Sequence, residues 1–193
     1  MDNNGNSNND SDNDSGDEKV KRIIFLDVDG VLNCQPPNFR TAWPDYERGD
    51  ERAYGLNPQL VANLKKVIDE TKAKIVVSSS WRYFDDYFTF NSDLMWRDVL
   101  AHRMGYEAKD LFIGNTPPSL VEYAFRGGEI MEWMETNECK YGVAGKDYKF
   151  CIIDDEVRSI LDVFDSRYVL HTDYRRGLTA EDAEKAIHIL ETA

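Results

Sequence analysis

Apolar residues follow two rhythms along this chain. Four short runs, RIIFL at 22–26, IVV at 75–77, KFCII at 149–153 and RYVLH at 167–171, have the length and nearly unbroken hydrophobicity of strands covered on both faces. Between and after them the apolar positions recur at helical spacing. Leu60, Val61, Leu64, Val67 and Ile68 form one stripe, and the segments 91–104 (NSDLMWRDVLAHRM), 127–137 (GGEIMEWMETN) and 179–190 (TAEDAEKAIHIL) carry three more. Asn57 is placed to cap the first helix, with Pro58 in its first turn, and Thr179 to cap the last. Strand and helix in alternation predict an α/β fold, a doubly wound parallel sheet with its functional residues at the C-terminal ends of the strands.

Two stretches follow neither rhythm. Residues 1–18 (MDNNGNSNNDSDNDSGDE) have no apolar residue after the first and cannot bury enough surface to order themselves, so they are expected to be a disordered acidic tail. Residues 33–57, mixing Pro, Gly, charge and aromatics, read as a flap or small insertion within a single domain over 19–193. Trp43, Phe39 and Tyr46 of that flap are better placed to wall off a substrate than the helical Trp96 and Trp133, or Trp81, which are expected in the core.

Charge narrows the function. The formal net charge is −13, and the tail accounts for six of those charges, which leaves the remainder at −7. That balance runs against a broad nucleic-acid platform while permitting a small local basic site. Cys34, Cys139 and Cys151 have no metal-binding spacing and read as reduced thiols in a cytoplasmic protein. No apolar run approaches the ~20 residues needed to span a bilayer, and neither a membrane nor a protein partner is indicated.

Every residue of chemical interest follows a strand. Asp27 and Asp29 stand after the first, Ser78, Ser79 and Ser80 after the second, and Asp154 and Asp155 after KFCII. Any of these groups alone would be an ordinary turn or helix cap. Four carboxylates brought to one crevice repel strongly unless a hard cation sits among them, and oxygen ligands of this kind suit Mg²⁺, which is usually shared with a substrate phosphate.

The motifs DVDGV at 27–31, IVVSSSWR at 75–82, a basic residue upstream and IIDDE at 152–156 together resemble the haloacid dehalogenase (HAD) superfamily of phosphohydrolases, over about residues 22–190. With the R-x-x-E-I-x-x-W run at 126–133 and GLT at 177–179, they resemble more narrowly the small HAD domains associated with RNA-repair proteins. They are similar, more distantly, to the 3'-phosphatase domain of polynucleotide kinase-phosphatases. The resemblance implies a Mg²⁺-dependent phosphomonoesterase in which Asp27 forms an aspartyl-phosphate and Asp29 is general acid, then base. It implies Ser78 as the phosphate-binding hydroxyl, with Ser79 as its rival. Arg126 would neutralise the site in preference to Lys140, Lys146 or Lys149. Arg82 is expected either at the phosphate or in a surface salt bridge. The implied metal ligands are Asp27, Asp29 through its main-chain carbonyl, Asp154 directly, and Asp155 either through water or by orienting the other ligands.

The phosphorylated substrate is either a nucleic-acid end or a small metabolite. A competing reading is a phosphorylation-dependent signalling module of the receiver type, in which the phosphorylated Asp lies on a middle strand, whereas here DVDGV comes first and the double Asp late. His102, His171 and His188 share no ligand spacing and are given no chemistry.

Overall fold

The computed structural model describes residues 20–34, 55–83, 96–118 and 125–192. The tail over 1–18 and residues 35–54 of the flap, with its three aromatics, lie outside the described residues. Five parallel strands form one sheet in the order β3-β2-β1-β4-β5: β1 Arg22–Leu26, β2 Lys74–Val77, β3 Phe112–Asn115, β4 Lys149–Asp154 and β5 Val169–His171. β3 adds a strand to the four expected. RYVLH is shorter than expected as a strand because Ser166–Tyr168 form a 3₁₀ turn before it.

The alternation of side chains along a strand sorts the core into two layers. Ile24 and Leu26 of β1, Ile75 and Val77 of β2, and Cys151 and Ile153 of β4 share one cluster. It includes α1 (Pro58–Thr71), α2 (Trp96–Met104), α3 (Ala108–Leu111) and α7 (Ala180–Thr192). Ile23, Phe25, Val76, Phe150 and Ile152 face the opposite way, into a cluster with α4 (Arg126–Thr136), α5 (Glu138–Tyr141) and α6 (Arg158–Leu161). Helices on both faces make the fold doubly wound. Trp81, Trp96 and Trp133 are all core residues, as expected.

Local chemistry sets the helix starts. Asn57 accepts the Gln59 N–H ahead of Pro58, and Thr179 and Asp182 exchange side-chain and backbone hydrogen bonds as a capping box. α2 begins at Trp96 within the stripe expected over 91–104, of which residues 91–95 lie outside the described set. Strand order reverses between β1 and β4, and the crevice at the C-terminal ends of those two neighbours is where open α/β sheets hold their ligands.

Candidate active site

Register brings the site together. Leu26 is level with Val77 on one side and Ile153 on the other, so Asp27, Ser78 and Asp154 form the next rung of the sheet. The backbone ladder runs on through that rung: Asp27 N–H donates to Ile153 O at 3.0 Å and Ser78 N–H to Leu26 O at 2.9 Å. By the period of two, all three residues fall on the face of Phe25, Val76 and Ile152, which α4 covers.

Arg126 opens α4. Its guanidinium lies 3.6 Å from Asp27 Oδ1 and 3.7 Å from Asp154 Oδ2, and Nη1 donates to the Ser78 carbonyl. A cation is out of place at a helix N-terminus, and the two aspartates supply the compensation. Gly127 allows this placement: a Cβ there would come within 2.5 Å of the Ser159 carbonyl on α6. Of the competing lysines, Lys149 starts β4 at the far edge of the sheet and donates to the Glu191 carbonyl, while Lys140 lies over the Tyr141 ring.

Carboxylate oxygens of Asp27, Asp154 and Asp155 can all lie within 4.8 Å of one another. Burial pushes Asp27 up to about 6 against the opposing pull of Arg126 and the Ser79 hydroxyl. Burial, then the charge of Asp27, pushes Asp154 up to about 7, and burial also raises Asp155. Two like charges 4 Å apart repel by about 4 kcal/mol at an effective dielectric near 20, so three carboxylates sharing one arginine retain an unfavourable negative excess. Asp154 Oδ1 accepts the Glu156 N–H at 2.8 Å in a local turn and caps no helix, since the N-cap of α6 is Val157. Its Oδ2 is buried without a hydrogen-bond partner. A buried carboxylate oxygen with an arginine at 3.7 Å but no hydrogen bond, among raised acids, fits a hard divalent cation. Gly30, at φ +68°, makes room for the third acid, because a Cβ there would fall 2.2 Å from Asp155 Oδ2.

The two serines separate. Ser79 Oγ accepts the Trp81 N–H at 3.3 Å. Ser78 Oγ is buried and has no hydrogen-bond partner. Asp29 stands apart from the acidic cluster, exposed, with its side chain bonded to Trp81, Asn33 and Ser80. Arg82 forms a buried two-armed pair with Glu129, at 2.8 and 3.0 Å, and also donates to Thr116 Oγ1. Glu129 is the residue that sequence reasoning missed. The signal was its spacing on α4, three after Arg126 and four before Trp133, which puts a carboxylate on the inward face. His171, given no chemistry from sequence, sets Nε2 3.0 Å from the Asp155 carbonyl.

A parallel sheet in this order, with an aspartate ending its first strand and an acidic pair beyond the strand beside it, is the architecture of the HAD superfamily, whose enzymes are of phosphohydrolase type. The chain belongs to it: residues 23–183 match the family described as the HAD domain in Swiss Army Knife RNA repair proteins. No curated protein and no solved structure matches the chain. Among the described residues, no helix is long and apolar enough to cross a membrane.

Proposed function

We propose that this protein is a cytoplasmic, Mg²⁺-dependent phosphomonoesterase that works through an aspartyl-phosphate on Asp27. The observation that carries this reading is the shared rung of Asp27, Ser78 and Asp154 with Arg126 set across it. Asp27 is the nucleophile, splitting one slow displacement into two faster steps. Asp29, two residues on and outside the cluster, protonates the leaving oxygen and then takes the proton of the attacking water. Ser78 is the phosphate-binding hydroxyl in preference to Ser79, because its buried Oγ has no hydrogen-bond partner among the described residues while Ser79 Oγ accepts the Trp81 N–H. Arg126 offsets charge on the phosphoryl oxygens. Asp27, Asp154 and Asp155, with the Asp29 carbonyl, would hold Mg²⁺, which when bound supplies charge neutralisation and in-line orientation of the phosphoryl group. Arg82 acts behind the site, fastening the first turn of α4 to the ends of β2 and β3 through Glu129 and Thr116.

For substrate, a phosphorylated nucleic-acid end is favoured. The family description points to RNA repair. The turn after β5 also exposes Tyr174, Arg175 and Arg176 beside the site, while Thr172 of the same segment donates to the Gly30 carbonyl at 3.3 Å. An aromatic ring for a base and two cations for phosphates suit a single strand. The acidic net charge favours the second reading, a small phosphorylated metabolite. The test is a phosphatase panel with Mg²⁺ comparing 3'- and 5'-phosphorylated oligonucleotides, nucleotides and sugar phosphates, with KM followed against ionic strength. Each phosphate contact on a single strand adds about −0.7 to the log-log slope of affinity against salt, so three contacts give roughly −2 for affinity and a correspondingly steep rise in KM. A shallow slope and no preference for the oligonucleotide would leave the metabolite reading standing.

A further inference from the structure

Asp29 is surrounded differently from the other acids. The Trp81 indole N–H donates to its Oδ1 at 3.0 Å, and the Asn33 carboxamide donates to the same oxygen at 2.5 Å. Among the described residues, the Ser80 hydroxyl, at 3.5 Å, is the one donor to Oδ2. Both donors are themselves fixed. Asn33 Oδ1 accepts the Gly30 N–H at 3.0 Å, which turns its NH₂ toward Asp29. The Trp81 ring is buried and packs edge-on against Trp96 at 5.5 Å, and Trp96 packs in the same way on Phe112 at 5.8 Å. An indole nitrogen is a donor only. Among the described residues, the core therefore holds one oxygen of an exposed carboxylate firmly and leaves the other with a single long contact.

We infer that Trp81 and Asn33 are positioning residues for proton transfer by Asp29, fixing Oδ1 and leaving Oδ2 as the oxygen that exchanges the proton; this rests on the aspartyl-phosphate reading above. In the first half-reaction an Asp27 oxygen bonds to phosphorus. The phosphorus–oxygen bond to the leaving group breaks, its electron pair goes to that oxygen, and the proton on Asp29 Oδ2 follows. In the second, water attacks phosphorus and gives a proton to Oδ2 as the bond from phosphorus to Asp27 breaks, which restores the carboxylate. An unheld carboxyl on an exposed turn would rotate Oδ2 away, and misplacement by about 1 Å costs on the order of 10²-fold.

The test uses leaving groups of different need, glycerol phosphate and p-nitrophenyl phosphate, since nitrophenolate departs with little help from an acid. Trp81→Phe keeps a ring in the core and loses the donor; Asn33→Asp keeps the acceptor for Gly30 and loses the donor. Each is expected to lower kcat/KM for glycerol phosphate by about 10–100-fold and for p-nitrophenyl phosphate by several-fold less. Asp29→Ala should show the same pattern more strongly, and adding Trp81→Phe to it should cost little more. The ratio of the two substrates on one sample cancels any loss of folded protein. Equal losses on both substrates, or a Trp81→Phe effect undiminished in the Asp29→Ala background, would overturn the inference. If Asp29→Ala itself shows no dependence on leaving group, it is the acid assignment of the proposed function that fails.

Discussion

The two edges of the sheet treat charge in opposite ways. At the N-terminal edge β1, β2 and β4 each begin with a basic residue, Arg22, Lys74 and Lys149, and each reaches a main-chain carbonyl of a neighbouring helix. Arg22 donates to Leu190 O and Thr71 O, both at 3.1 Å; Lys149 donates to Glu191 O and Lys74 to Asp110 O. Those cations meet the last carbonyls of α1, α3 and α7, where the helix dipoles are negative. At the C-terminal edge the charges are carboxylates, three of them around one arginine, and a serine hydroxyl and a carboxylate oxygen are buried without a hydrogen-bond partner. One edge is satisfied from within the chain. The other keeps, among the described residues, a crowded acidic cluster and polar atoms without hydrogen-bond partners, which is what the proposed metal and phosphate sites require.

Removing Arg126 breaks the comparison most severely. Arg126→Ala is expected to lower kcat by about 10²–10³-fold, the usual cost of losing one preorganised electrostatic contact to the transition state. It should also destabilise the metal-free protein, because Asp27 and Asp154 lose the cation that they share. Steady-state kinetics beside thermal melts in chelator would check both, and a variant of unchanged kcat would remove Arg126 from the mechanism.

A smaller effect follows from the raised acids. Asp27, Asp154 and Asp155 hold their protons more tightly folded than unfolded, so between the ordinary value near 3.8 and about 7 the native state binds more protons. Stability of the metal-free protein therefore falls as pH rises through that window. Asp69 and Asp165 are shifted down by Lys65 and Arg167, and they act below the window. In chelator the melting midpoint should be higher at pH 5 than at pH 7.5, and Mg²⁺ should close the gap by binding the ionised form. A midpoint that rises with pH in chelator would contradict this.

The smallest effect belongs to the other edge. Arg22→Met loses two charge-assisted hydrogen bonds, worth about 1.5–3 kcal/mol each before relaxation, and should reduce stability in a denaturant titration while leaving kcat/KM unchanged. A loss of activity on the folded variant would show that the edges are not separable.

What was legible in the sequence divides along chemical lines. Features carried by neighbouring residues were readable: the apolar run into Asp27, the Asn57-Pro58 helix start, the Thr179 cap and the double aspartate after KFCII. Arg126 was reached through family resemblance alone, and its distances to Asp27 and Asp154 are set by the fold rather than by any local pattern. β3 escaped because FIGN has only two apolar side chains and lies half-buried at the sheet margin, where no continuous hydrophobic run is required. The contacts of Trp81 with Asp29 and of Arg82 with Glu129 join residues 52 and 47 positions apart. No local pattern encodes such pairs, which exist only once the 3₁₀ turn after β2 is laid across the ends of β1 and β3. The difference between the Ser78 and Ser79 hydroxyls was likewise illegible, since adjacent serines are alike in sequence and differ only in what each hydroxyl meets.

The most direct test of the central claim is covalent. Acid-quenched protein treated with Mg²⁺ and acetyl [³²P]phosphate, a donor whose leaving group needs no acid, should carry a hydroxylamine-labile label in the tryptic peptide 23–40. The label should disappear in Asp27→Asn and persist longer in Asp29→Asn, where water attack on the aspartyl-phosphate loses its base. Labelling that survives Asp27→Asn, or maps to Asp154 or Asp155, would contradict the account.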